Sequence, residues 1–463
     1  MDKKKYFYLG LALYLFTAFW NIGIIALDDY SDIVSQIIPA QKHTFTELIN
    51  NAGIRTPVPS VLLLSITKLA FSVGITNPVF QLRVALMLFA LFSFLTLNFC
   101  TQNIFSTEDK KKNSLFLVSF YFLAPLFLTR LMIESLSAPW LLLSGLFATR
   151  YYNNKKIMPL FLSVLFLSIA SIFRFQAGSC LLALPVLILF NKKYSHFIYL
   201  IIFGALFFIL TGLIDQFIYG QFHRSLLSYI QYNLHSSSSY GVTPFYTYLL
   251  LFIGLSIPPT FLLRYKKLDF KKEYHPLFPV FLYFLFFVFF HSCVPHKEER
   301  FMVPVFSFFL ILLTPLFGYI QKNNRFRAKY FIGVNFLLLF FTVYNVPQKN
   351  VIDFIRFFDS QKKIKHFISY KDSILLYPEA FALSSPTYEQ VKDDKIADKL
   401  KTITCDQGLV IRKDYLPTIS VKNFNLYAHF DPGLLEAAVI KLNPKQNIRR
   451  NTLYIYLKSG CND

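Results

Sequence analysis

Residues 276–320 read PLFPVFLYFLFFVFFHSCVPHKEERFMVPVFSFFLILLTPLFGYI. Two apolar runs, 276–295 and 301–320, enclose a knot of charge at His296-Lys297-Glu298-Glu299-Arg300. Neither run contains Asp, Glu, Lys or Arg. Each has the length of roughly 20 residues that an α-helix needs to cross bilayer hydrocarbon. Backbone surrounded by lipid must satisfy its own hydrogen bonds, so such runs fold as helices. The stretch therefore reads as a membrane hairpin with its ionisable residues gathered at the turn.

Outward from this hairpin the pattern repeats. Uncharged runs cover 6–26, 84–105, 114–129, 135–149, 157–173, 175–191, 196–214, 245–263 and 330–346, which with the first two makes eleven. Only 16% of the 463 residues are charged, against roughly 25% in soluble chains, so the chain is a polytopic membrane protein. The run at 58–82 carries Lys68 at its middle. A lysine at a bilayer centre costs about 2.5–3.5 kcal/mol, so this run is placed in the interface. Lys3-Lys4-Lys5 precede an apolar run too long for a signal peptide and lacking a small-residue cleavage site, which reads as an uncleaved first span.

The net charge of +21 does not imply nucleic acid as a partner. Before residue 347 most of the Lys and Arg sit in short loops: Lys3–Lys5, Lys110–Lys112, Arg150 with Lys155 and Lys156, Lys192-Lys193, Arg264 to Lys272, and Lys322 to Lys329. With eleven spans all six loops fall on one side, which the positive-inside rule makes cytoplasmic. If 58–82 crossed, every later loop would change side. The rest of the basic residues can attract anionic membrane lipid or a phosphate-bearing substrate. The loops 27–83, 130–134, 215–244, 296–300, the Arg174 turn and the tail from 347 then face outward, to the periplasm or the ER lumen.

From 347 onward charges become frequent and apolar runs shrink. Helical spacing is expected over 351–368, and strands over Gly408–Ile411 and Leu453–Leu457. The expectation is a membrane-embedded part, 1–346, with interfacial helices in its first outer loop at 27–83, and a small extracytoplasmic α/β domain at 347–463. Cys405 and Cys461 fall in this tail and can pair in an oxidising compartment. No cofactor and no metal-ligand spacing is read from the sequence.

Several stretches on the outward face can carry chemistry. In Pro295–Phe301 acid and base are mixed tightly enough to neutralise one another while aiming cations at a phosphate. Asp28-Asp29 follow the first span, and a carboxylate there can act as general base toward a sugar hydroxyl, typically worth about 10²–10⁴-fold. Arg130 and Glu134 stand four apart and fit either a helical ion pair or phosphate binding. Arg174, alone between apolar spans, needs a partner or a route to the surface. Tyr232-Asn233 and Tyr240-Gly241 suit stacking on sugar faces and equally an interfacial aromatic belt. There is no P-loop, no dinucleotide fingerprint, no zinc-protease helix and no nucleophile elbow. Nucleotide hydrolysis therefore has no support.

At these same motifs the sequence resembles the glycosyltransferase family 22 mannosyltransferases, those of GPI-anchor and ER N-glycan assembly. The family's His-Lys-Glu-x-Arg-Phe motif stands here as His296–Phe301. Its acidic pair is matched by Asp28-Asp29, its Thr-Arg by Thr129-Arg130, and its Tyr-Asn and Tyr-Gly-x-x-Pro-aromatic elements by Tyr232-Asn233 and Tyr240–Phe245. The order holds from about residue 20 to 320. The resemblance implies a GT-C fold with about 11 transmembrane helices and a polyprenyl- or dolichyl-phosphate-linked sugar donor, usually mannose. It also implies a lipid-linked or other glycan acceptor and inverting transfer. Asp28 or Asp29 would be the base. His296, Lys297 and Arg300, with Arg130 and Arg174, would hold the donor phosphate; Glu298, Tyr232, Asn233, Tyr240 and Gly241 would contact substrate. The alternative is a flippase or exporter of lipid-linked glycans. That reading calls for ionisable groups near the midplane of the spans, and the eleven runs hold none beyond His196 and His291 near their ends.

Overall fold

The computed structural model describes residues 3–25, 44, 55–236, 241–261, 268–360, 363–371, 387–444 and 448–461. Asp28, Asp29 and Tyr240 lie outside the described residues, as do 27–43 and 45–54 of the first outer loop. Two compact units are present. The first comprises Met1–Ala18, Thr46–Val61 and Leu86–Phe340; the second comprises Phe19–Phe45, Leu62–Ala85 and Phe341–Asp463.

Every expected apolar run carries a helix. In chain order the main helices through the apolar part are α1 (Lys3–Trp20), α2 (Val58–Ser72), α3 (Pro78–Ile104), α4 (Glu108–Phe120), α5 (Ile133–Asn154), α6 (Ile157–Phe173), α7 (Ala183–Phe190), α8 (His196–Tyr219), α9 (Arg224–Ser236), α10 (Thr247–Leu255), α11 (Phe278–Cys293), α12 (Val303–Asn323) and α13 (Arg325–Tyr344). Among the described residues, five helical segments are long and apolar enough to cross a membrane alone: Pro78–Ile104, His196–Tyr219, Phe270–Cys293, Glu299–Asn323 and Arg325–Phe354.

Where helix ends depart from the apolar runs, the reason is local. α3 begins at Pro78, six residues before its run, because Arg83 cuts the apolar pattern but not the helix. α8 runs on through Asp215 to Tyr219. The Asp215 carboxylate is satisfied there by the Ser225 N–H at 2.8 Å and the Ser225 hydroxyl at 2.6 Å. The run 114–129 is broken: α4 stops at Phe120 and helix resumes for one turn at Ala124–Phe127, with Pro125 in the first turn, where its missing N–H costs nothing. A 3₁₀ segment, Phe175–Leu182, precedes α7.

Within the first unit α5 packs along α6, and α12 packs on α4, α5 and α11. Gly145 of α5 makes the close approach possible, since a Cβ there would lie 2.5 Å from the Phe308 ring of α12. Small residues play this part where helices pack in lipid. Three helices are also pinned by hydroxyls: the Tyr283 hydroxyl lies 2.8 Å from both Ser144 Oγ and Ser163 Oγ. Phe116 of α4 stacks on Phe317 of α12 with centroids 5.3 Å apart.

The tail in the second unit holds α14 (Lys349–Ser360), α15 (Asp393–Thr402), α16 (Leu434–Leu442) and five strands, β1 (His366–Tyr370), β2 (Thr387–Val391), β3 (Gln407–Arg412), β4 (Phe424–Phe430) and β5 (Leu453–Lys458). The strand order is β2-β1-β3-β5-β4. β1 runs parallel to β2 and β3, with Ile368 opposite Glu389 and Leu409; β5 runs antiparallel to β3 and β4. Its core is Ile368, Tyr370, Val391, Ile396, Ile403, Leu409 and Ile411. Cys405 and Cys461 form a disulfide that ties the loop before β3 to the residues after β5. The helix expected over 351–368 ends at Ser360, and His366–Ile368 are strand. The β-branched and aromatic content of Phe367-Ile368 suits a pleated, buried strand, and both are fully buried.

Candidate functional site

The charged loop between α11 and α12 is held by backbone as much as by side chains. α11 ends at Cys293; the chain is extended through Val294 and re-enters helix by a 3₁₀ turn, Glu299–Met302. The Thr243 N–H donates to the Pro295 carbonyl at 3.1 Å. The Lys297 ammonium donates back to the Thr243 carbonyl at 3.0 Å and to the Val294 carbonyl at 2.7 Å. The Tyr248 hydroxyl donates to the Glu298 carbonyl at 3.3 Å. Two motifs that lie some 50 residues apart in sequence, around Gly241 and around His296, are thereby joined. Gly241 has φ +99°, a conformation open to glycine at no steric cost.

Within the loop Glu298 is the common acceptor. Its Oε2 takes the Arg300 Nε–H at 2.6 Å and its Oε1 lies 2.9 Å from His296 Nε2. Burial alone would raise the Glu298 carboxyl, but the hydrogen bond and charge of Arg300, with His296 adding to them, hold it below the usual range. Burial pushes the Lys297 ammonium down from its ordinary value.

A second, deeper pair stands beside this loop. Arg174 caps the end of α6 with extended backbone, φ −148°. Its Nη1 lies 2.5 Å from Glu134 Oε1 in the first turn of α5, and the two side chains are 3% and 2% exposed. Arg174 Nε and Nη2 and Glu134 Oε2 are buried without a hydrogen-bond partner among the described residues. The Arg174 guanidinium lies over the Phe301 ring at 4.8 Å, and Arg300 approaches the same ring at 5.3 Å. Both cations thus lie within cation–π reach of one ring, whose π electrons favour each of them.

Arg130 does not share a helical face with Glu134. It is buried in the turn before α5, which starts only at Ile133, and the Glu134 carboxylate is taken by Arg174. Tyr232 and Asn233 lie on α9. Tyr232 is 39% exposed, and the Asn233 amide donates to the Tyr229 carbonyl one turn back at 2.8 Å. α9 leans toward the Arg174 turn through Tyr229, which packs on Phe175 at 5.4 Å and bonds Gln176. The structure thus brings together Arg174, His296, Lys297, Glu298, Arg300 and the segment from Gly241 to Tyr248. The Glu134–Arg174 pairing, the Phe301 platform and the Thr243 carbonyl were not legible beforehand. Glu134 left a trace as a carboxylate among apolar residues, and Phe301 as the last residue of the His296–Phe301 motif. A backbone carbonyl leaves none.

The sequence profile of the Alg9-like mannosyltransferase family matches residues 7–369, a stretch that contains every one of these residues. The chain belongs to the Alg9-like mannosyltransferase family. Among curated relatives it is similar to the alpha-1,2-mannosyltransferase ALG9 of Mus musculus, 24% identical over 238 residues, which is 47% of this chain and 38% of that protein. The Homo sapiens ALG9 is 23% identical over 231 residues, 46% of this chain and 37% of that protein. The match thus spans well under half the length of these relatives. Among solved structures the chain is similar to ArnT from Cupriavidus metallidurans, in the apo state with a TM-score of 0.60 and bound to undecaprenyl phosphate with a TM-score of 0.56. Each comparison covers 98% of this chain and 97% of ArnT at 10% identity. At that identity the likeness shows the fold alone: an ArnT-like architecture, mostly helical with a small C-terminal sheet.

Proposed function

We propose that this family member is a membrane mannosyltransferase. It would transfer a sugar from a polyprenyl- or dolichyl-phosphate donor to a lipid-linked or other glycan acceptor, with inversion. The observation that carries the reading is the meeting of Arg174 and the His296–Arg300 loop around Phe301, with two Arg174 nitrogens buried and unengaged. In the transfer, an acceptor hydroxyl oxygen forms a bond to the anomeric carbon as the bond from that carbon to the phosphate oxygen breaks. Negative charge grows on the departing lipid phosphate. Fixed cations facing that charge are often the largest catalytic contribution, and guanidinium forks match phosphate oxygens in pairs. His296, Lys297, Arg300, Arg174 and Arg130 are proposed for this role. The hydroxyl proton passes to a carboxylate, for which Asp28 or Asp29 is proposed. Glu298, Tyr232, Asn233, Tyr240 and Gly241 are proposed to face substrate.

The donor class is supported by the family and by the undecaprenyl phosphate bound in ArnT. The proposed architecture has eleven spans, a membrane part at 1–346 and an extracytoplasmic domain at 347–463. Six basic loops on one side and a tail disulfide, which persists in oxidising compartments, support this orientation.

The test is sugar transfer from radiolabelled polyprenyl-phosphate mannose in membranes carrying wild type, Asp28→Asn, Asp29→Asn or His296→Ala at matched expression. Transfer by wild type that falls at least about 100-fold in one Asp variant supports the assignment and selects the base. Equal activity in all three variants removes the mechanism.

A further inference from the structure

A cavity of about 540 Å³ lies wholly within the second unit, where the turn at Gly74–Asn77 leads into α3. Two arginines line it, Arg83 from the second turn of α3 and Arg356 from α14. The charge is poorly compensated. Arg83 makes no ion pair among the described residues, and its Nε is buried without a hydrogen-bond partner. Among the described residues Arg356 pairs only with Asp353, at 3.7 Å, and Asp353 is shared with Lys349. No carboxylate is among the described residues that line the cavity. Two like charges facing one cavity repel, and an anion between them relieves the repulsion.

The geometry suits an oxyanion. The Arg83 guanidinium lies over the Phe19 ring at 4.7 Å, which fixes its plane and leaves its edge for paired N–H···O bonds. The helix start is not the recognition element, because Asn77 already accepts the Phe80 N–H. α3 is long and apolar enough to span, and the cavity sits at its end, the level at which lipid head groups lie. Val79 and Phe80 in the lining offer apolar surface beside the charge.

We infer that Arg83 and Arg356 form a binding site for the phosphate of a lipid head group. The test uses full-length protein in detergent and follows thermal stabilisation by dihexanoyl-phosphatidic acid, with dihexanoylglycerol and inorganic phosphate as comparisons. Phosphatidic acid is expected to stabilise wild type, with its apparent Kd raised about tenfold in Arg356→Gln and in Arg83→Gln. Arg356 is solvent-facing, so its variant keeps the fold whatever Arg83→Gln does. Unchanged affinity in Arg356→Gln, or equal stabilisation by dihexanoylglycerol, overturns the site. Inorganic phosphate binding as tightly through the same arginines overturns the lipid as its source. An effect abolished by Arg300→Gln and kept by Arg356→Gln assigns the lipid to the charged loop instead and also overturns the inference.

Discussion

Arg174 shows what a single residue can disclose. An arginine between two apolar spans must find a counter-charge, and the chain offers few. Glu134 supplies it from another helix, with both side chains almost fully buried. Removing one member of a buried ion pair leaves an uncompensated charge and costs about 3–5 kcal/mol. Glu134→Gln is therefore expected to lower thermal stability in detergent clearly more than replacement of an exposed acid such as Glu108, which bridges lysines at the surface. A melting temperature for Glu134→Gln equal to that of Glu108→Gln would mean that the Arg174 charge is balanced elsewhere. The need for a partner was legible in the sequence; the partner's identity was not, because four-residue spacing suggested Arg130 and the helix starts too late for that pairing.

At the scale of elements, apolar length located the helices and charge misplaced their ends. Arg83 and Asp215 interrupt the pattern yet sit inside α3 and α8, since one satisfied or snorkelling group does not break a helix. The pairing of helices was not legible, because membrane interfaces are set by small residues and shape rather than by an apolar stripe. Gly145 is the position where this can be tested. A methyl group there meets Phe308 Cε1 at 2.5 Å and Cζ at 2.8 Å, and Phe308 is fully buried. Gly145→Ala is expected to cost about 1–3 kcal/mol through overpacking, and Phe308→Leu in the same chain should recover part of it. A double variant no more stable than the Gly145→Ala single would show that α5 and α12 do not meet through this contact.

Across the whole chain, the second unit joins residues more than 300 positions apart. Trp20 stacks on Tyr344 at 5.4 Å, the Asn21 amide donates to the Asn345 carbonyl at 2.9 Å, and the Gln348 amide donates to the Ile24 carbonyl at 3.2 Å. The tail's strands at β3 and β5 were readable from alternation. This junction was not, since it rests on amide-to-backbone bonds that no periodicity announces. A component of it sensitive to pH is Glu436 of α16, whose Oε1 accepts the Gln348 N–H at 2.8 Å while Oε2 is buried without a hydrogen-bond partner among the described residues. Burial raises this carboxyl above its ordinary value of 4.5, outweighing the Gln348 hydrogen bond and the charge of Arg450. A raised acid binds its proton more tightly when folded. Its contribution is fully present below about 4.5 and is lost as pH rises through the folded-state value, with a slope of at most about 1.4 kcal/mol per pH unit. Glu436→Gln keeps an oxygen for the Gln348 N–H and removes the titration. Thermal melts of wild type and variant should coincide near pH 4.5, with the variant more stable at pH 7. Wild type gaining stability on the variant as pH rises would mean that the Arg450 pairing at 3.8 Å, rather than burial, governs the Glu436 carboxyl.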